Sequence, residues 1–296
     1  MKTKDFGLFW LVGLIWGTSF LWIKIAVEDV SPLVLVAFRT LFGAVGLGLV
    51  ILFNKKITFD WKNSKKHALD FLILGFVNIT LPFILISFAE TVIDSGTASI
   101  LNASNPLFTI LLSPIFIKDD RITWPKAIGL LVGFIGVFLL ITPGLNGGWN
   151  ENLAGQIMML GAALSYASGS IYARIKSSQL PAVVSAFLQV SAAAIITWII
   201  VLFTEKPFAF PAQPITWVAF VWLGLLGTSV AYIIYFHLLH RIGPTRVSMI
   251  TYIIPLVGVI LGIVFLKESF YWQAILGGAL ILSGITLIKT KITSSA

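Results

Sequence analysis

The chain has 296 residues, of which 58% are hydrophobic and 11% are charged, and its mean hydropathy is +0.98. This composition is too apolar for the surface of a water-soluble protein, so it predicts an integral membrane protein. The absence of cysteine excludes disulfides and thiolate metal ligands. The three histidines lack the spacing of metal ligands, and we therefore expect no metal and no cofactor.

Ten apolar segments follow one another along the chain, and each approaches the roughly 20 residues that a helix needs to cross a bilayer. We predict an all-α, polytopic membrane protein with ten transmembrane helices. The first segment is too long for a signal peptide and has no clear cleavage site, so we expect it to stay attached. The predicted spans are residues 6–26, 32–53, 68–89, 96–117, 125–142, 153–173, 181–203, 214–239, 245–266 and 271–288.

The distribution of basic residues predicts how these spans are oriented. The net charge is +8, but the lysines and arginines lie in short loops beside apolar segments, which indicates a lipid bilayer as the partner and no nucleic acid. With the amino terminus inside, sixteen basic residues fall in inner segments and three, Lys24, Lys206 and Lys267, in outer loops. This bias predicts that both termini are cytoplasmic.

The two halves of the chain look duplicated. A shift of 149 residues superposes Pro32 on Pro181, Gly75 on Gly224, Ser99 on Ser248, Pro106 on Pro255 and Lys118 on Lys267. We predict two five-helix repeats, residues 1–146 and 147–296. Because five is an odd number, the second repeat is inverted relative to the first, as in many secondary transporters.

Several short motifs carry a resemblance that covers nearly the whole chain. They include Trp16-Gly17-Thr18-Ser19-Phe20 with Lys24, Phe38-Arg39, Pro106-Leu107-Phe108-Thr109 and Lys267-Glu268. On these motifs the chain resembles the EamA branch of the drug/metabolite transporter superfamily, although Asp119 stands where the family more often has glutamate. The resemblance implies a ten-helix exporter in a prokaryotic inner membrane. It also implies alternating access around a central cavity, with amino acids or related small-molecule metabolites as common cargo.

Arg39 is the first candidate for a cargo-binding residue. It follows Pro32 by seven residues, so it lies roughly 10 Å inside the outer boundary of the second span. A charge at that depth is costly unless it has a partner. The guanidinium could bind a cargo carboxylate or pair with Glu90 or Asp94. Alternatively, Arg39 is structural and snorkels outward or holds a permanent salt bridge.

The remaining substrate-binding candidates are amide and aromatic side chains within the spans. Amides suit a polar or zwitterionic cargo but often only join helices, and aromatic rings could stack on cargo or simply pack. Two candidates precede prolines that free a backbone carbonyl: Asn105 lies directly before Pro106, and Tyr252 lies three residues before Pro255. The full set is Trp16, Asn78, Asn102, Asn105, Tyr166, Gln189, Tyr232 and Tyr252.

Energy coupling has little support in the sequence. No carboxylate falls near the middle of a predicted span, since Asp70 and Glu90 lie at opposite ends of the third. We therefore expect either facilitated export down a cargo gradient or weak proton coupling through His237, a histidine within a span. The alternative for His237 is an ordinary packed histidine.

Other function classes are disfavoured by what the motifs lack. The chain has no HExxH, no GxSxG with a partner pair and no acidic dyad, so we expect no enzyme, and it shows no channel filter. A nucleotide-sugar or lipid-headgroup carrier is the alternative within transporters, but it would need more basic residues at depth than Arg39. Glycines in the fifth and tenth spans suit close packing within one chain or a dimer contact, which leaves monomer and homodimer open.

Overall fold

The computed structural model describes residues 3–54, 57, 61–117, 121–145, 151–176, 180–206, 210–243, 247, 249–269 and 271–292. All regular structure in these ranges is helical. A short helix, Trp61–Lys66, precedes the third long helix. The long helices are α1 (Thr3–Val27), α2 (Pro32–Phe53), α3 (Ala68–Val92), α4 (Ser95–Phe116), α5 (Trp124–Leu145), α6 (Glu151–Ile175), α7 (Ala182–Thr204), α8 (214–242), α9 (Ile250–Leu266) and α10 (Trp272–Ile292).

Seven of the described helices, α1 to α5, α7 and α8, are long and apolar enough to cross a membrane. Helices α9 and α10 contribute shorter apolar stretches, Ile250–Leu266 and Trp272–Ile288. Helix α6 has 25 residues but carries more small and polar side chains. The all-helical, multi-pass class is thus confirmed, and each predicted span overlaps one long helix. The crossing of the bilayer by all ten helices stays a prediction.

Local chemistry sets several helix ends. Ser31 begins α2 by accepting a hydrogen bond from the Val34 amide at 3.3 Å, and Pro32 occupies the first turn, where its missing N–H costs nothing. Helix α9 ends at Lys267, whose φ of 56° is left-handed, and the Glu268 amide then donates back to the Gly262 carbonyl at 3.1 Å. This tight turn carries the Glu268 side chain toward α4.

Helices α3 and α8 each contain a π-helical segment, Phe76–Thr80 and Trp222–Val230. A glycine lies at each segment and allows close approach to a neighbouring helix. A Cβ at Gly75 would lie 2.8 Å from the Gln189 carbonyl oxygen of α7, and a Cβ at Gly224 would lie 3.0 Å from the Arg39 carbonyl oxygen of α2. Such segments locally widen a helix and are frequent at functional sites.

Helices α4 and α9, which contain Pro106 and Pro255, differ in their backbone. Helix α4 is interrupted between Ser95–Asn102 and Asn105–Phe116, as the Asn105-Pro106 pair predicts. Helix α9 starts at Ile250 and continues through Pro255 without a break. Asn105 begins the second part of an interrupted helix, whereas Tyr252 lies in the first turn of an uninterrupted one.

Helices α5 and α10 pack on each other through their glycines. A Cβ at Gly136 would lie 2.6 Å from the Gly277 carbonyl oxygen, and a Cβ at Gly129 would lie 2.6 Å from that of Gly284. Side chains at these positions would push the two backbones apart. These glycines therefore serve contacts within one chain, which is one of the two roles that the sequence left open.

The helix bundle has two ends, which differ in the helix termini and junctions found there. We call the end at which α1 begins, near Asp5, the amino-terminal end. The opposite one is the far end, where the junctions α1–α2 and α3–α4 lie, near Asp29 and Asp94.

Candidate functional site

Arg39 lies inside the bundle, with 7% of its surface exposed. Its guanidinium carbon lies 3.7 Å from the ring centroid of Phe83 in α3, a cation–π contact. No described residue accepts a hydrogen bond from its Nε. The side chain therefore does not snorkel to the surface. The ion pairs found among the described residues do not include it.

Glu90 is the second buried charge, with no exposed surface. Neither of its carboxylate oxygens has a hydrogen-bond partner among the described residues. Lys24 of α1 holds the backbone beside it, because its Nζ donates to the carbonyl oxygens of Glu90 at 2.7 Å and Ile93 at 2.9 Å. Glu90 lies within electrostatic reach of both Lys24 and Arg39. An unpaired buried carboxylate is costly, so it points to a ligand or a proton.

Three of the predicted aromatic residues lie around the same centre. The charge of Arg39 acts on the hydroxyls of Tyr166 in α6 and Tyr232 in α8. The ring centroids of Trp16 and Tyr232 are 6.3 Å apart, with their planes at 75°. Trp16 also donates from Nε1 to the Gly227 carbonyl oxygen at 3.0 Å, in the π-helical segment of α8. The structure thus brings together Trp16, Arg39, Tyr166 and Tyr232.

The amide candidates are spread more widely. Asn78, in the π-helical segment of α3, packs against Gly169, one turn beyond Tyr166. Gln189 contributes its backbone carbonyl to the contact between α7 and α3. Asn102 ends the first part of α4, and its buried Oδ1 has no described partner. These three remain candidates.

Asn105 and Tyr252 make local contacts. Asn105 Oδ1 accepts from the Thr109 hydroxyl at 3.2 Å on the next turn of α4. The Tyr252 hydroxyl lies 3.1 Å from that of Thr286 in α10. These contacts engage Asn105 Oδ1 and the Tyr252 hydroxyl, and the role of both residues in cargo binding stays a prediction.

His237 lies near the amino-terminal end of the bundle, not among the buried charges. Its side chain is 49% exposed, and its Nε2 is 3.9 Å from the Asp5 carboxylate. Arg241 lies at the same distance from the other Asp5 oxygen. Proton coupling through His237 stays a prediction, and any such proton would enter at this end.

The far end carries carboxylates that accept hydrogen bonds from the other half of the sequence. Glu268, after α9, accepts from the Ser95 amide at 2.7 Å, the Ser95 hydroxyl at 3.0 Å and the Gly96 amide at 3.1 Å, at the positive start of α4. Glu205 accepts from the Ser31 hydroxyl at 2.6 Å. Asp119, the counterpart of Glu268 in the predicted repeat, lies outside the described residues.

Asp29 makes the third connection at the far end. It accepts from the Thr216 hydroxyl at 2.6 Å and from the amides of Gln213 at 3.1 Å and Ala212 at 3.3 Å. The hydrogen bond from Thr216, with those from the two amides, lowers the pKa of the Asp29 carboxyl below its ordinary value. This carboxylate therefore stays charged at neutral pH and joins the α1–α2 junction to the start of α8.

Within the described ranges, no group of three or more histidine, cysteine, aspartate or glutamate side chains is arranged to hold an ion.

Comparison with known proteins decides the family. The profile of the EamA-like transporter family matches the chain twice, over residues 5–142 and 153–290. The chain belongs to the EamA-like transporter family. It is therefore a membrane transporter of the family that its sequence motifs resemble.

The relatives of this EamA-family chain carry transporter names. It is 24% identical to an uncharacterised transporter of Bacillus subtilis, YoaV, over 93% of this chain and 92% of the relative. This chain is 26% identical to the Escherichia coli inner membrane transporter YedA, over 87% of this chain and 81% of that relative. A probable amino-acid metabolite efflux pump of Escherichia coli is 26% identical to this chain, over 96% of this chain and 94% of the pump. A solved structure matches with a TM-score of 0.65 at 20% identity over 97% of each chain, which shows the fold alone.

Sequence reasoning underrated two residues of this EamA-family protein. The sequence placed Glu90 at the end of the third span, as one possible partner of Arg39, and gave Glu268 only as part of a family motif. Their roles depend on neighbours that are distant along the chain, since Lys24 precedes Glu90 by 66 residues and Ser95 precedes Glu268 by 173. No local pattern signals such contacts.

Proposed function

We propose that this chain is a secondary transporter that exports small polar or amphipathic metabolites, amino acids or related compounds first, by alternating access. The observation that carries the proposal is that a basic side chain, Arg39, and an acidic side chain, Glu90, are both buried in the bundle with unpaired polar atoms. The two side chains form no ion pair within 4.0 Å, yet each lies within electrostatic reach of the other. The name of the efflux pump from Escherichia coli favours the same cargo and direction.

A zwitterion matches the chemistry of these two side chains. Its carboxylate would accept hydrogen bonds from the Arg39 guanidinium, and its ammonium would donate to Glu90. The aromatic rings of Trp16, Tyr166 and Tyr232 would contact its side chain. Cargo bound this way satisfies two groups whose unpaired burial is otherwise costly.

The proposed architecture is two inverted five-helix repeats, residues 1–146 and 147–296. The two separate family matches support it. So do the π-helical segments in α3 and α8, which coincide under the 149-residue shift. The contacts of Gly75 with Gln189 and of Gly224 with Arg39 are also related by nearly this shift. Rocking of two such halves would expose the shared centre to each side in turn.

In the proposed orientation both termini are cytoplasmic and the protein lies in a prokaryotic inner membrane. The excess of basic residues in the predicted inner segments supports this orientation, and the YedA relative supports the membrane. A terminal epitope tag that is reached from outside intact cells would overturn the orientation.

Counterflow in proteoliposomes tests the function. We expect radiolabelled amino acids to exchange, and we expect Arg39→Lys and Glu90→Gln each to reduce exchange by about 10-fold or more, since each removes a charged hydrogen bond. Arg121→Lys and Glu28→Gln are the matched controls at exposed positions. Exchange of nucleotide sugars without any amino-acid signal would establish the alternative cargo.

A further inference from the structure

Glu90 is closed off from solvent in the conformation described. It has no exposed surface, and neither of its carboxylate oxygens accepts a hydrogen bond from a described residue. A charged carboxylate has about four acceptor sites, which water fills when the group is exposed. Burial of the charged form without donors is costly, and a carboxyl group avoids that cost by taking up a proton. A proton needs no cavity, because it binds to the oxygen itself.

Arg39 cannot relieve its burial in the same way. A guanidinium stays protonated in proteins, whereas a carboxyl group changes its charge when it binds or releases a proton. The Arg39 charge lies instead over the ring of Phe83, at 3.7 Å from the centroid. Of these two buried ionisable side chains, Glu90 is therefore the one whose charge can change during a transport cycle.

Lys24 attracts the Glu90 side chain but does not satisfy its oxygens. Its Nζ donates to the backbone carbonyl oxygens of Glu90 at 2.7 Å and Ile93 at 2.9 Å. It gives no hydrogen bond to the carboxylate of the same residue. Its charge also acts on Asp94, so Glu90 shares this cation with a second acid.

The other neighbours of Glu90 supply a field but no donor. Arg39 of α2 and Glu268 after α9 act on it with opposite signs. Helix α6 packs on the same turn of α3 through Gly155, which has no side chain to offer. The surroundings therefore leave both Glu90 oxygens open to a proton.

A far-end cavity of about 370 Å³ lies beside Lys24. Lys24 lines this cavity and also holds the Glu90 carbonyl, so it is a neighbour of both. Movement of this one side chain would connect Glu90 to the cavity and give a proton a short route from the far end. The other ionisable side chains that line the cavity are Glu28, Asp94, Lys267, Glu268 and Tyr271.

We propose that Glu90 holds a proton in this conformation and exchanges it for the ammonium group of the cargo, which makes the protein a proton/cargo antiporter. The proposal rests on the proposed function, because the cargo ammonium is the group that replaces the proton. The proton leaves Glu90 for water at the amino-terminal end, and the carboxylate then pairs with the ammonium. One proton moves inward for each zwitterion that moves outward, so each cycle carries one positive charge inward.

Infrared spectroscopy of the purified full-length chain tests the proton without any cargo. At pH 7 we expect the carbonyl-stretch band of a protonated carboxylic acid, although an exposed glutamate with its ordinary pKa of about 4.3 is almost fully charged there. The band should be absent in Glu90→Gln and shifted in Glu90→Asp. Glu28→Gln removes an exposed carboxyl group and should keep the band. A spectrum that Glu90→Gln leaves unchanged would overturn the proposal.

Transport driven by a pH gradient tests the coupling. Proteoliposomes have a lumen one pH unit more acidic than the medium, and equal potassium with valinomycin holds the membrane potential at zero. The probe is radiolabelled leucine. The wild type should accumulate leucine in the acidic lumen up to about 10-fold, because one proton that crosses one pH unit supplies a factor of ten. Glu90→Gln should not accumulate it, and Glu28→Gln should match the wild type.

The possible results separate this proposal from the cargo proposal. Leucine exchange without accumulation in the acidic lumen would overturn the coupling. Accumulation that persists in Glu90→Gln but disappears in His237→Gln would place the proton at the other end and also overturn it. If the wild type exchanges no amino acid, the proposed function fails and the antiport fails with it, whereas the infrared band still decides whether Glu90 holds a proton.

A second variant covers the case in which Glu90→Gln does not fold. Size-exclusion chromatography checks the folding of each variant. Glu90→Asp keeps an ionisable carboxyl group, so its shifted infrared band assigns the proton, and its accumulation of leucine should persist.

Discussion

The two ends of the bundle are held together by different chemistry. At the far end, Asp29, Glu205 and Glu268 each accept hydrogen bonds of 2.6–3.3 Å from a distant part of the chain. At the amino-terminal end, the two carboxylate oxygens of Asp5 lie 3.9 Å from His237 Nε2 and from Arg241 Nη2. A 2.7 Å hydrogen bond from Tyr172 to Asp70 also joins the two family-matched regions at this end.

This difference indicates which end opens at the lower energetic cost. Short hydrogen bonds to a carboxylate are among the stronger polar contacts, whereas half-exposed ion pairs contribute little. Among the described residues, the far end is therefore the one at which carboxylates hold distant segments together more strongly. Opening it would require loss of the Glu268 contacts. Variants at the two ends should differ in effect according to the hydrogen bonds that each one removes.

Glu268→Ala should have the largest effect, because it removes three hydrogen bonds at the start of α4. We expect the free energy of unfolding to fall by about 3 kcal/mol, since hydrogen bonds to charged groups contribute about 1.5–3 kcal/mol each and this side chain is partly exposed. The natural chain has no cysteine, so single reporters can be placed at Ala26 and Val12 of α1, which are fully buried toward the far and amino-terminal ends. Maleimide labelling of Ala26→Cys should rise while that of Val12→Cys stays low.

The control for this prediction is Glu28→Gln, which changes an exposed carboxylate beside a neighbouring far-end cavity. It should alter neither reporter. Equal labelling of both reporters in Glu268→Ala would contradict a contact that closes only the far end.

Acidification should weaken the Asp29 connection. Because the hydrogen bond from Thr216 lowers the pKa of Asp29, the charged form stabilises the fold above the ordinary aspartate pKa of about 3.9. This stabilisation is lost as the pH falls through the lowered pKa. The thermal midpoint of the wild type should exceed that of Asp29→Asn at neutral pH, and the difference should shrink in strong acid. In a Thr216→Val background the midpoint difference should be smaller at every pH, and an unchanged difference would assign the effect to another group.

Tyr172→Phe removes the hydrogen bond to Asp70 at the amino-terminal end. We expect a lower thermal midpoint and more labelling of Val12→Cys, but a smaller change than that caused by Glu268→Ala, because one hydrogen bond is lost instead of three. Labelling of Ala26→Cys should not change. A loss of stability larger than in Glu268→Ala would reverse the ranking of the two ends.

Asp5→Asn should have the smallest effect. Its partners lie at 3.9 Å, and both of their side chains are 49% exposed, so we expect a loss below about 1 kcal/mol in the thermal unfolding of purified protein. Transport at pH 6 and pH 8 is the second measurement, because it shows whether Asp5 and His237 take part in proton movement. A pH dependence that disappears in both Asp5→Asn and His237→Gln would support the coupling hypothesis.

The helices could be predicted because hydropathy and the residues that begin a helix are local features of the sequence. Ser31-Pro32 indicates the beginning of α2, and the structure begins the helix there. The break near Pro106 also follows from a proline's missing amide. The π-helical segments were not predictable, because α-helical and π-helical turns share the same apolar residues, and packing against α2 and α7 selects between them.

The candidate site was predictable only in part. Arg39 stands out because a charge in an apolar segment is rare. Glu90 does not, since a carboxylate two residues before the end of α3 normally reaches water. Lys24 and the surrounding helices cover it, and that cover comes from residues far away along the chain.

The amino-acid sequence alone determined the membrane class, the position of each helix and the family, because these depend on the composition of single segments and on short motifs. The tertiary structure decided which polar side chains lie together, which acids are buried and at which end carboxylates join distant segments. The physical reason is that the cost of a buried charge depends on what surrounds it. In this protein those surroundings come from helices that are far apart in the chain.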